Sequence, residues 1–432
     1  MRLGGAVAKW SRAATRILDL AARPVRTAHG KEGIVLQPYR GYGSRRDAFL
    51  IGRVFRQSAA RRDTGRDDLA AHLRDLGRRI ARRAVRGAVV TARFCGAEHR
   101  VETDRDGYFR VHLDPPRPPP ADRSWHPVDL LLEGDRPVRA EGEIFIPPGH
   151  CRFVVISDID DTIMYTGVAN KLAMLWRLFV EDAERRIPFP GVTALYRALH
   201  GGVSGNEGNP MLYVSRGPWG IYDVLDEFFK IHDVPVGPIL FLREWGVSWK
   251  SPLPRKAEDH KRELIHNMLA LYKDLPFILI GDSGQHDPEV YRDIVEENPG
   301  RVLAVLIRNV SRDEGRMREI EELALAVAAA GSSLLLAADS AAMAEHVAKL
   351  GLVGPGTIAE VEHALVAGHG EKTPAGTRRV ERSTSEGTAE AVAGGELRSA
   401  IEDETGSGTG EAAPNVVVEP EPASPPPPKP PA

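Results

Sequence analysis

Cysteine is nearly absent: the chain of 432 residues holds two, Cys95 and Cys151. They allow one disulfide at most, which excludes a stapled secreted module and fits free thiols in a reducing, cytoplasmic compartment. Long apolar runs are missing too. No stretch reaches the ~18 uncharged apolar residues of a membrane span. The nearest, 323–338, is broken by Gly331, Ser332 and Ser333 and reads as a helix end followed by a strand. The chain is therefore expected to be soluble or peripheral on a membrane, not integral. There is no dinucleotide fingerprint, no Walker pattern and no internal repeat. His150, His200, His232, His260, His266 and His286 show no metal-ligand spacing; they read as structural or solvated, with His286 a neighbour of any site nearby.

What is present divides unevenly. With 42% hydrophobic and 27% charged residues, the chain can bury at least one large core, and its length suggests two or three domains. The net charge of −3 hides an asymmetry: the first 100 residues carry 23 basic and 8 acidic side chains, the remaining 332 carry 34 and 52. A basic first quarter points to an anionic surface, membrane or nucleic acid. Basic side chains are mostly arginine, 46 against 11 lysines, a choice that says little about function.

Within residues 1–44 the spacing of Val7, Trp10, Ala14, Ile17, Leu18 and Ala21 gives a basic amphipathic helix followed by a linker. Such a helix either packs on the neighbouring domain or lies in a lipid interface. Residues 45–150 alternate in short β-branched and aromatic segments between turn signals, which predicts a small β-sandwich. The turn Thr103-Asp104-Arg105-Asp106-Gly107-Tyr108-Phe109 resembles that of transthyretin-like sandwiches, and residues 61–86 read as a basic helical insertion. Residues 115–120 are a proline-rich loop within this domain.

From 151 to 367 the pattern changes. Apolar runs at 153–157, 211–215, 239–242, 277–281, 302–307 and 333–338 alternate with helical segments at 220–231, 258–272 and 288–298. Continuous runs belong to strands covered on both faces, so this region is expected to be a doubly wound α/β domain on a parallel sheet. Residues 368–432 collapse into Gly, Glu, Thr, Ser and Pro and should stay disordered, its terminal prolines offering a polyproline ligand or simply a solvated tail.

Chemistry gathers at the strand ends, where open α/β sheets bind ligands. The first apolar run ends in Ser157 and is followed by Asp158, Asp160 and Thr162. One ionised carboxylate can attack phosphorus while the other shuttles the leaving-group proton. A phosphate meeting two carboxylates needs a cation and a lysine. Ser215 ends the second run and can donate to a phosphoryl oxygen; Lys261 opens a later helix and can neutralise charge; Asp282 ends a further strand, with Asp287 five residues on. Hard oxygen ligands of this kind suit Mg²⁺. Each piece alone also has a plain structural reading, as turn, solvated helix residue or helix cap. Together, in one order, they are difficult to attribute to chance.

The wording SDIDDTI, YVS-x-x-PW, DHK and GDSGQHDPE-x-Y resembles the four motifs of the haloacid dehalogenase phosphohydrolase superfamily. Within it the match is to the catalytic domain of the actin-patch-protein phosphatidate phosphatases, over roughly residues 150–355. The resemblance implies a Rossmann-like core with a minimal cap. It implies Asp158 as nucleophile forming an aspartyl-phosphate, Asp160 as general acid and then base, and Thr162 as a stiffener of the loop. Ser215 would bind phosphate, and Lys261 would hold the nucleophile and phosphoryl group. Mg²⁺ would be carried by Asp158, the Asp160 carbonyl and Asp282, with Asp287 as ligand or support. Where better-known members have a small polar pair before Pro-Trp, this chain has Arg216-Gly217, which leaves head-group preference open. Trp219 and Trp245 read as packing groups.

The intervals from Asp158 to Ser215 and on to Lys261, about 57 and 46 residues, leave little room for a cap. The apolar helix 172–180, with Leu172, Leu175, Trp176 and Phe179, either forms an apolar lip or packs inward. The resemblance implies a Mg²⁺-dependent phosphatidate phosphatase, and the small cap and basic first quarter fit action at a membrane surface, with no nucleic-acid partner expected. Alternatives are a phosphatase of a soluble phosphoester or phosphoprotein, and a membrane- or nucleic-acid-binding adaptor on a vestigial fold.

Overall fold

The structure, a computed structural model, describes residues 33–56, 83–160, 162–163, 188–217, 219–242, 257–311, 313–370 and 416–418. The N-terminal amphipathic helix, the apolar helix 172–180, Trp245 and most of the basic insertion lie outside the described residues. No described helix is long and apolar enough to cross a membrane.

Among the described residues nine strands build the first unit: β1 (Ile34–Pro38), β2 (Gly41–Gly43), β3 (Ala48–Arg56), β4 (Arg83–Ala84), β5 (Val89–Phe94), β6 (Ala97–Glu102), β7 (Tyr108–Leu113), β8 (Trp125–Leu132) and β9 (Val138–Phe145). They share one hydrogen-bonded network, antiparallel throughout except for β2 beside β9. Alternation works as the sequence implies: β8 buries His126, Val128, Leu130 and Leu132 and turns the residues between outward. Leu36, Val54, Phe109, Val128 and Leu130 meet in one apolar core. The turn at 103–108 is fixed by Asp104, whose Oδ1 accepts from the Asp106 and Tyr108 amides at 2.9 Å. Gly107 sits at φ +81°, where a Cβ would lie 2.3 Å from the Val54 carbonyl oxygen.

Two sequence boundaries are corrected here. The unit begins at Ile34, not at 45: Pro38, Gly41 and Gly43 look like linker, but pairing with β3 buries Val35 and Leu36. Likewise the insertion read as helical to Arg86 ends in a strand, because Arg83 and Ala84 pair with Arg56 and Phe55. In both, tertiary pairing overrides local composition.

The second unit alternates strand and helix: β10 (Val154–Asp158), α1 (Val192–Gly201), β11 (Met211–Ser215), α2 (Tyr222–Ile231), β12 (Ile239–Phe241), α3 (Ala257–Leu271), β13 (Phe277–Asp282), α4 (Asp287–Glu297), β14 (Val302–Arg308), α5 (Glu314–Ala329), β15 (Ser333–Ala337), α6 (Ser340–Lys349) and α7 (Thr357–Gly370). A short 3₁₀ turn at Trp219–Ile221 precedes α2. The sheet runs β12-β11-β10-β13-β14-β15, all parallel. Successive strand residues face opposite cores: Val155, Tyr213 and Ile280 join α1, α2, α6 and α7, while Val154, Leu212 and Leu279 join α3, α4 and α5. Covering on both faces is why these strands read as unbroken apolar runs.

The strand order reverses between β10 and β13, so the crevice beyond those two strand ends is where such sheets take ligands. Two small differences appear at the C-terminal side. Helix α7 continues to Gly370, past the expected boundary at 367, and in the tail Val416–Val418 form β16, antiparallel to β15.

Candidate active site

Asp158 is the last residue of β10 and is fully buried, as are Lys261, Asp282 and Asp287. Strand geometry puts Asp158 in register with Val214, one residue before Ser215, and Ser157 in register with Ile280, two before Asp282. Chain segments 124 residues apart in sequence thus end side by side. The Ser157 hydroxyl donates to the Asp158 carbonyl oxygen at 2.8 Å and accepts from Tyr196 at 2.6 Å.

Lys261 projects from the second turn of α3. Its Nζ lies 2.8 Å from Asp158 Oδ1 and 2.6 Å from Asp287 Oδ1, over the Tyr291 ring at 5.3 Å. Burial alone would lower the lysine's pKa, but the two carboxylates outweigh it and hold the ammonium well above its ordinary value. For Asp158 burial is the largest influence and raises the carboxyl; Lys261 pulls it down, Asp287 pushes it up, and the net direction is upward. A single ammonium thus faces more carboxylate charge than it can balance.

Asp287 opens α4, where the helix N-terminus favours a negative charge. Its Oδ2 accepts from the Asp282 amide at 3.3 Å. Asp282 Oδ1 accepts from the Gly284 amide at 2.8 Å and Oδ2 from Gln285 Nε2 at 2.7 Å. The same Gln285 amide comes within 3.5 Å of the Asp160 carbonyl, tying the β13 loop to the β10 loop. Asp158, Asp282 and Asp287 each present an oxygen within 4.8 Å of the others, a set able to hold a metal ion. Asp158 Oδ2 and Gln285 Oε1 are buried acceptors with no hydrogen-bond partner among the described residues. Buried orphan acceptors beside surplus carboxylates are the electrostatic shape a hard cation fits.

The anion side lies next to this. Ser215, fully buried at the end of β11, accepts from the Gly217 amide at 3.0 Å, which leaves its own proton available for donation. The Thr162 hydroxyl and Arg216 Nε are buried without a partner among the described residues, and Arg216 adds a favourable charge toward ionised Asp158. Asp160 is 3% exposed. Its side chain is not in the three-carboxylate set. All seven expected residues therefore lie at one end of the sheet, on adjacent strands and the elements that follow them.

Four contributors escaped the sequence reading. Gln285 stood inside a quoted motif with no role. Arg308, at the end of β14 in register with Asp282, donates to the Thr162 carbonyl at 3.2 Å and to Ser340 at 3.0 Å. An arginine closing the apolar run 302–307 was the available signal. Arg316 of α5 holds the 283–285 loop through the Ser283 and Gln285 carbonyls at 3.1 and 2.8 Å; nothing local marks it. Gly281 permits close approach: a Cβ there would lie 2.3 Å from Asp287 Oδ2. Gly281→Ala is expected to push Asp287 off Lys261, lowering turnover by about a hundredfold and stability by about 1–3 kcal/mol. Steady-state kinetics with a thermal melt checks both. Away from the site, His112 sits with Asp47 and Asp114 in an exposed cluster, and exposed His286 lies 4.0 Å from Glu289.

Fold and site define the class: a parallel α/β domain with an acidic, lysine-neutralised centre where the strands end. Residues 153–309 match the family model described as the catalytic domain of phosphatidate phosphatase APP1. The match is confined to that segment, 157 of the 432 residues. Phosphatidate phosphatase APP1 of Saccharomyces cerevisiae is 32% identical over 178 residues, 39% of this chain and 29% of that protein. An uncharacterized protein of Schizosaccharomyces pombe is 26% identical over 221 residues, 50% of this chain and 35% of that one. The chain thus spans about a third of the length of the curated relatives it matches. Among solved structures, a carbohydrate acetylesterase from Xanthomonas citri aligns with 68% of this chain and 74% of its own at 10% identity. Its TM-score is 0.23, too low to imply a shared fold.

Proposed function

We propose that the protein is a Mg²⁺-dependent phosphatidate phosphatase of the haloacid dehalogenase-like type, releasing phosphate and diacylglycerol through an aspartyl-phosphate. The observation that carries this reading is the placement of Lys261 between buried Asp158 and Asp287, with Asp282 alongside. The resemblance of the segment to the APP1 catalytic domain supplies the substrate class.

Asp158 Oδ2, the oxygen that Lys261 does not engage, attacks phosphorus, forming the Oδ2–P bond as the P–O bond to the lipid breaks. Asp160 gives its proton to the departing glyceryl oxygen, then takes one from the water that attacks the aspartyl-phosphate and restores Asp158. Ser215 and Lys261 hold the phosphoryl oxygens, and Arg308 braces the loop carrying Thr162. Asp158, the Asp160 carbonyl and Asp282, with Asp287 in support, would hold Mg²⁺, which would supply positive charge for phosphate to approach the carboxylates. Arg216, beside Ser215, adds a second cation to the anion side. The basic first quarter gives attraction to anionic lipid, at about 1 kcal/mol per basic residue near the surface.

Phosphate release from phosphatidate in vesicles, set against soluble phosphomonoesters, tests the reading. Chelation is expected to remove on the order of a hundredfold or more of the activity, restored by Mg²⁺. Turnover indifferent to the lipid surface moves the substrate to a soluble phosphoester. No release from any of them refutes the phosphatase.

A further inference from the structure

We propose that Trp219 is a positioning residue through which the β-strand unit sets the phosphate-holding turn at Ser215, making that unit part of the site. The inference rests on the function above and extends it to a residue of the neighbouring unit, Tyr39.

Ser215 and Trp219 are four residues apart, with Gly217 between them. The Gly217 amide donates to Ser215 Oγ, and a Cβ on Gly217 would lie 2.6 Å from Ile221 Cδ1 and 3.1 Å from Ser215 Oγ. Gly217 is thus closely packed between Ser215 and Ile221, which joins the serine to the start of α2. Trp219 is 4% exposed, and its indole nitrogen has no hydrogen-bond partner among the described residues. Aromatic contacts therefore set the ring's place. Inside its own unit it lies against Phe241, 4.6 Å between centroids, and Phe241 is the residue paired in register with Ser215. On the other side it stacks on Tyr39 at 4.4 Å and 25°, with Tyr108 at 6.4 Å. Tyr39 and Tyr108 both belong to the β-strand unit.

The same unit grips the start of α2, which the turn enters. The Arg40 amide donates to Tyr222 Oη at 3.0 Å, Gln37 Nε2 donates to Asp223 Oδ1 at 2.7 Å, and Arg40 pairs with Asp226. Tyr42, two residues beyond Arg40, is buried in the core on the opposite face of the parallel sheet. The segment 37–42 thus reaches both faces of the sheet and, through Tyr39, Gln37 and Arg40, ties Trp219 to the start of α2. Ser215 binds phosphate before and after chemistry, so displacing it should weaken phosphate affinity more than it slows the bond-breaking step.

The experiment compares Tyr39→Ala, Tyr39→Phe, Trp219→Phe and Val90→Ala on a soluble phosphomonoester, p-nitrophenyl phosphate. KM, kcat, the inhibition constant of inorganic phosphate and the melting temperature are recorded for each. Losing the stack in Tyr39→Ala should raise KM and the phosphate constant together by about tenfold, with kcat within about threefold. The two phenylalanine variants keep a ring in place and should stay within about twofold. Val90, buried in β5 away from this contact, serves as a control that weakens the unit without touching Trp219. Unchanged KM in a folded Tyr39→Ala, or an equal rise in Val90→Ala, overturns the coupling. If Tyr39→Ala does not fold, Gln37→Ala removes the bond to α2 and should give a smaller rise in the same two constants; no rise overturns the coupling. Calorimetric binding of inorganic phosphate with Mg²⁺ gives the same comparison without turnover. An inactive wild type that still binds phosphate then refutes the phosphatase while leaving the coupling to be decided by affinity. Phosphate that does not bind wild type overturns both.

Discussion

Asp158→Asn is expected to abolish phosphate release, by on the order of 10⁴-fold or more in kcat, without loss of the fold. Asparagine keeps the shape of the side chain and an oxygen that can accept from Lys261, and Lys261 keeps Asp287 at 2.6 Å. What disappears is the anionic oxygen that attacks phosphorus. Stability should move the other way. Burial and Asp287 hold the folded-state pKa of Asp158 above the ordinary carboxylate value, although Lys261 opposes them. A raised folded pKa means a contribution that is fully present below the unfolded value of about 3.9 and is lost as pH rises through the folded one. Without metal, wild type carries that loss at neutral pH and the asparagine variant does not. The variant's melting temperature should therefore gain on wild type between about pH 4 and 7, and Mg²⁺ should raise wild type more than the variant. Turnover within tenfold of wild type would remove Asp158 from the chemistry.

The parallel strands were legible because both faces are covered, so each run is apolar without interruption; β11 matches its expected span, Met211–Ser215. The helix that carries Lys261 and the one after Asp282 were visible through their periodicity. The placement of candidate residues was legible where a strand ends in a polar group, as at Asp158, Ser215 and Asp282. Arg316 was not, because its role depends on α5 crossing behind the 283–285 loop, a contact with no local sequence signature. β1 and β2 were hidden for a related reason: Pro38, Gly41 and Gly43 mimic a linker, and only pairing with β3 makes them strands. Trp219 was read as a packing group, which it is, but its partners Tyr39 and Tyr108 lie 180 and 111 positions away.

Lys261→Met should show what the lysine balances. Methionine fills the stem's volume but leaves Asp158 and Asp287 buried with no counter-charge. Removing one partner of a buried ion pair costs about 3–5 kcal/mol, which for a domain of this size lowers the melting temperature by roughly 10 °C or more. The lysine's folded pKa is held well above its ordinary value by the two carboxylates, against burial. Its contribution is thus complete below the unfolded pKa of about 10.4 and fades only as pH climbs through the folded value. Across neutral pH the deficit must come from the stranded carboxylates. Buried Asp158, already raised by burial, holds its proton more readily once the lysine is gone, so the variant loses ground as pH rises toward 8. A divalent cation supplies part of the missing charge, so Mg²⁺ should raise the melting temperature of Lys261→Met more than that of wild type. Turnover should still fall by at least about a thousandfold, because a cation on the carboxylates does not replace the ammonium at the phosphoryl group. Melting curves at pH 5 and 8, with Mg²⁺ and with chelator, read the balance directly. A variant as stable as wild type at pH 8 without metal would mean that Asp158 and Asp287 do not depend on Lys261 for their charge.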